Sequence, residues 1–237
     1  MQNSDFWRDF GPTADQETQV VLSLSDTCRL VVKYGNIVRQ QVKGIIVPNN
    51  TAIGAPGGAG AAVMYAVDQV RLQQNSSTKK NVYDILFPSL HIQNPMLLQP
   101  DEVVLDLEDR PRVGPLGAAA ISRSLKDSGL LLHQGWEHII FALIRHQGSD
   151  VTDNSIRSAT ANSITAAERA KLGSVAMVPF GTGLFPISVS RAASLMIPVI
   201  ADRCHRPNQH VLKELIVVMN EKTQFEEFRK IAISQLR

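Results

Sequence analysis

The chain has 237 residues with 24 Lys or Arg against 22 Asp or Glu, a formal net charge of +2. A hydrophobic content of 44% and a charged content of 19% describe a globular protein long enough to bury one sizeable core. The balanced charge shows no basic stripe and argues against a nucleic-acid or membrane-surface partner.

Residues 1–18 are polar, contain no apolar core segment of a secretory signal, and read as a tail or linker. No window reaches the roughly 18 consecutive apolar residues of a membrane helix. Cys28 and Cys204 are the two cysteines. They are too few for a disulfide framework and read as reduced thiols in the cytosol, so a cytoplasmic protein is expected.

From Gln19 the pattern changes. "QVVLSLS" and "RLVVKYGNIV" read as strands around the turn "DTC", and "GIIVP" as a strand covered on both faces. "AAVMYAVDQVRLQQ" reads as a helix. "NVYDILF" and "EVVLDLE" predict strands amid proline-punctuated loops, "LGAAAISRSLKDSGLLL" (116–132) a helix, and "HIIFALI" a buried strand. "DNSIRSATANSITAAERAKLG" has a helix start and a glycine stop. "SVAMVPF" is a strand, "GTGLFPIS" a loop, and "VSRAASLMIPVIADR" a helix in which Pro198 predicts a kink or an end. "LKELIVVM" and "TQFEEFRKIAISQL" close the chain as strand and helix. Strands alternating with helices imply an α/β sheet covered on both sides, and residues 19–237 read as one domain.

Two places share a design. The strand "GIIVP" leads through "NNTAIGAPGGAG" to a helix, within a stretch from Gly44 to Val67 that carries no charge. The strand "SVAMVPF" leads through "GTGLFPIS" to another helix, with no charge between Lys171 and Arg191. In α/β sheets ligands sit beyond the carboxyl ends of strands, where loops meet helix starts. Glycines there bring backbone N–H groups close to an anion, and the helix start adds partial positive charge. Two such loops, facing each other, suit a diphosphate. A P-loop is absent because Ala61 and Ala62 follow Gly60, and the dinucleotide fingerprint fails at Val63.

With both loops in view, the chain resembles the macro domain family, the ADP-ribose-binding module. The carriers are "IIVPNNTAIGAPGGAGAAV", "PFGTGLFP", "GNI" at Gly35–Ile37 and the closing "VVMNEKTQFEEF". The resemblance implies a three-layer α/β/α fold with a mixed sheet of about six or seven strands. It also implies a cleft for ADP-ribose or a related nucleotide diphosphate, free or attached to protein. By resemblance Gly57, Gly58, Ala59 and Gly60 wrap the diphosphate from one side. Gly181, Thr182, Gly183, Leu184 and Phe185 wrap it from the other, with Phe185 near the second ribose. Asn50, with Asn49 beside it, would serve that ribose, and Asn36, Ile37 and Asn220 the adenine. Asn36 stands where many members place an aspartate, Asn220 where an aromatic often packs, and Pro48 at the family's first asparagine.

Members that hydrolyse ADP-ribosyl esters carry acids, a histidine or a lysine near these loops. Here Gly60 or Ala61, Met64 and Ala66 occupy those places. No catalytic residue is therefore assigned, and the sequence shows no metal spacing and implies no cofactor. A binding module leads. A hydrolase of ADP-ribosyl or O-acetyl-ADP-ribose esters, using water activated by the ligand's phosphate, is the alternative. A ligand-free macro-like interaction scaffold is the second.

Overall fold

Five apolar runs form the middle of one sheet in the computed structural model, which describes residues 16–51, 53, 57–73, 85–86, 89–93, 103–106, 115–146, 148–183, 187–205 and 211–236. They are β2 (Arg29–Tyr34), β3 (Gly44–Asn50), β7 (His138–Arg145), β8 (Ser174–Met177) and β9 (Glu214–Met219). All five are parallel, in the order β2-β9-β8-β3-β7. β1 (Thr18–Ser23) pairs antiparallel with β2 at one edge. Beyond β7 the sheet continues antiparallel through β6 (Ala119–Ile121), β4 (Ser89–Gln93) and β5 (Val103–Asp106). Seven strands from β1 to β6 form the body, and β4 and β5 extend it to nine.

Alternation along the strands divides the core between two faces. Leu30, Val32, Ile46, Ile140 and Ala142 pack with α2 (Asp153–Arg169), α3 (Val189–Cys204) and α4 (Lys222–Leu236). Val31, Ile45, Val47, Ile139 and Phe141 pack with α1 (Gly58–Gln73) and with Leu125, Leu130 and Trp136. This is the expected three-layer α/β/α architecture, its parallel strands buried on both sides. Among the described residues no helix is long and apolar enough to cross a membrane.

Several expectations are corrected. Residues 116–132 are not a helix: Ala119–Ile121 form β6, and turns follow. The small side chains there serve close packing, since Ala118, Ala119 and Ala120 are all fully buried. A Cβ on Gly117 would stand 2.8 Å from the Ser158 Cβ of α2, and Asn162 Nδ2 of α2 donates to the Gly117 carbonyl at 2.6 Å. Ile85 and Leu86, expected in a strand, are helical, and the rest of that stretch lies outside the described residues. β2 ends at Tyr34 rather than running to Val38, because Asn36 caps a 3-10 turn, Ile37–Arg39. Pro198 neither ends nor divides α3 and sits on its exposed face.

Candidate functional site

The β3–β8 ladder stops at Ile46 and Met177. Beyond it both segments carry a proline, Pro48 in β3 and Pro179 after β8. Pro48 lies past the last β3–β8 pair, so its missing N–H interrupts none of that ladder. The pairing of β3 with β8 has ended here, and a cleft of about 500 Å³ opens at the carboxyl ends of the parallel strands.

The lining follows the strand order. At the β2–β9 end stand Asn36, Ile37, Asn220 and Glu221. The middle is formed by Gly181, Thr182 and Gly183 after β8, with Gly57, Gly58 and Ala59 at the start of α1. Asn49, Asn50 and Arg145 line the β3–β7 end. Eleven residues expected from the sequence thus meet in one cleft: Asn36, Ile37, Asn49, Asn50, Gly57, Gly58, Ala59, Gly181, Thr182, Gly183 and Asn220. Gly60 is not on its wall; it is buried within α1. Leu184 and Phe185 lie outside the described residues.

Local bonding explains the poses. The Asn36 Oδ1 accepts from the Val38 N–H at 3.0 Å, and its carbonyl accepts from Gln40 Nε2 at 2.7 Å. The Gly35 N–H reaches the Met219 carbonyl at 2.8 Å, tying the 3-10 turn to the end of β9. Asn49 Oδ1 accepts from the Asn50 N–H at 2.8 Å, whereas its buried Nδ2 has no hydrogen-bond partner among the described residues. After β8, Thr182 Oγ1 donates to the Pro179 carbonyl at 3.1 Å and folds the turn back. Gly181 has a φ of +82°, and a Cβ there would lie 3.0 Å from Ile187 Cγ1. Glycine is favoured at that position by its conformation and by the close approach of Ile187. Gly58 and Gly183 are open instead, with nothing among the described residues within 4 Å of an added Cβ.

The two helix starts are not equivalent. The first-turn N–H groups of a helix lack intrahelical partners, and α1 begins on the cleft wall with Gly58. At α3 two of those donors are already engaged. Ser188 Oγ accepts from the Arg191 N–H at 3.2 Å, and Glu227 Oε1 accepts from the Ser190 N–H at 3.1 Å. Among the described residues lining the cleft, α1 contributes its first turn and α3 contributes none.

Sequence reasoning missed Arg145 and Glu221, the two charged residues among the described lining. Arg145 ends β7 in "HIIFALIR", and a lone charge closing a buried strand was the available signal. Glu221 directly follows Asn220. Among the described residues, no group of three or more His, Cys, Asp or Glu is placed to hold a metal ion.

Residues 116–196 match the model of the Macro domain family. They span β6, β7, α2, β8, the second loop and the first half of α3, but not the first loop. A search among curated proteins finds no match. Among solved structures, the chain is similar to an Oceanobacillus iheyensis macrodomain with MES bound, with TM-score 0.63 and 13% identity over 93% of this chain and 98% of that one. It is also similar to a mutant of that organism's macrodomain with ADPR, with TM-score 0.60 and 15% identity over 92% and 98% of the two chains. A third is a Trypanosoma brucei macrodomain in complex with ADP, with TM-score 0.53 and 11% identity over 82% and 70%. At such identities the likeness speaks for the fold. The resemblance read from the sequence holds on both counts: residues 116–196 carry the Macro domain match, and the chain has the macrodomain fold.

Proposed function

We propose that the cleft binds ADP-ribose or a related nucleotide diphosphate, free or attached to protein. The observation that carries this reading is the meeting of both neutral glycine loops in one cleft at the carboxyl ends of the parallel strands. The diphosphate lies between Gly57–Ala59 and Gly181–Gly183, facing the start of α1. Each backbone N–H given to a charged oxygen is worth roughly 1.5–3 kcal/mol, and the helix start adds its partial charge. The base lies toward Asn36, Ile37 and Asn220, and the second ribose toward Asn49 and Asn50. The buried Asn49 Nδ2, without a partner among the described residues, is a donor for a sugar oxygen there. The solved macrodomains with ADPR and with ADP support the same ligand class.

Binding is favoured over hydrolysis assisted by a protein carboxylate by where the carboxylate of the described lining stands. Glu221 follows β9, which is two strands from β3, roughly 10 Å at the usual strand spacing. It therefore stands away from the ribose end, where a general acid or base is needed within hydrogen-bond reach. Calorimetric titration with ADP-ribose, with ADP, ATP and NAD as comparators, tests the reading. Micromolar affinity selective for ADP-ribose, without turnover, is the expected result. No heat with any of the four would overturn it.

A further inference from the structure

On the face opposite α1, at the far end of the sheet from the cleft, the two cysteines meet. Cys28 immediately precedes β2, and Cys204 is the last residue of α3. They are 176 positions apart in the chain, yet their sulfurs approach to 2.7 Å as free thiols. Both are buried in the same core cluster. A disulfide needs sulfurs about 2.05 Å apart, so bonding requires only a small further approach of the two sulfurs. The backbone around Cys28 is held for it. Its carbonyl accepts from the N–H groups of Leu24 at 3.0 Å and Ser25 at 3.1 Å, and its own N–H donates to Ser25 Oγ at 3.1 Å.

We infer that Cys28 and Cys204 form a dithiol site that peroxide closes to an intramolecular disulfide, joining the β1–β2 turn to the end of α3. The two thiols differ in readiness. A hydrogen bond with Cys204 holds the Cys28 thiol below its ordinary value, against burial and the nearby Glu168 carboxylate. Cys204 is pushed up by its bond to Cys28, by burial and by the charges of Cys28 and Glu168. Attack through Cys28 is favoured by its place in a turn that presents exposed Asp26 and Thr27 to solvent. The Cys28 thiolate attacks one peroxide oxygen, the O–O bond breaks, and protonation of the leaving hydroxide gives water and a Cys28 sulfenic acid. Cys204 sulfur then displaces the sulfenic oxygen, which leaves as a second water with the Cys204 proton. In total two thiols and one hydrogen peroxide become one disulfide and two waters.

The test treats the purified protein with hydrogen peroxide, unfolds it in iodoacetamide, and maps its peptides by mass spectrometry with and without reduction. The expected result is one linked pair containing Cys28 and Cys204, released by dithiothreitol. The oxidised protein should melt about 4–16 °C above the reduced one. Two alkylated cysteines after peroxide, or disulfides only between separate chains, would overturn the inference.

Discussion

Replacing Gly183 with glutamate puts a carboxylate on the cleft wall without disturbing the fold. A Cβ at this position meets nothing within 4 Å among the described residues, and Gly183 lines the cleft, so the new side chain points into open space and the cost falls on the ligand. At about 5 Å and an effective dielectric near 20, two unit charges repel by about 3 kcal/mol. A doubly charged diphosphate doubles that figure, and salt with a Debye length of about 8 Å takes back roughly half. A net loss of about 3 kcal/mol is roughly a 150-fold weaker affinity for ADP-ribose. Calorimetry on Gly183→Glu, with Gly183→Gln as the neutral control of similar bulk, separates charge from size, and a thermal melt checks the fold. A Gly183→Glu protein that melts like its parent and binds as tightly would refute the placement of the diphosphate.

Other changes probe different parts of the site. Gly181→Ala forces a left-handed residue against Ile187, a strain of about 1–2 kcal/mol that should lower the melting temperature by about 2–8 °C. Arg145→Ala removes the cation of the lining; for this partly exposed group a loss of about 1 kcal/mol is expected, roughly fivefold in affinity, with a shallower salt dependence in the same titration. Asn36→Asp keeps an acceptor for the Val38 N–H and offers a charged one to an adenine amino group. It should tighten ADP-ribose binding by about 1 kcal/mol, and an unchanged affinity would show that the base lies elsewhere.

The parallel middle of the sheet was legible because buried strands leave continuous apolar runs such as "GIIVP" and "HIIFALI". The stretch 116–132 was not, because its alanines look like helix formers although they are fully buried in the sheet, Ala119 on the α2 face and Ala118 and Ala120 on the α1 face. Local propensity and tertiary crowding select the same amino acids there for different reasons. For the site, each glycine loop was legible because strand, loop and helix follow one another in sequence. Arg145 and Glu221 join the cleft only because β7 lies beside β3 and β9 beside β8. Such neighbours are set by strand order, which no local pattern records. The engagement of the α3 start was hidden for the same reason, since Glu227, which accepts from Ser190, comes from α4.

A crystal structure of the protein grown with ADP-ribose tests the central claim most directly. The account predicts density running from Asn36 and Asn220 to Asn50, with the diphosphate between Gly57–Ala59 and Gly181–Gly183. Ligand bound at another surface, or an empty cleft at saturating nucleotide, would contradict it.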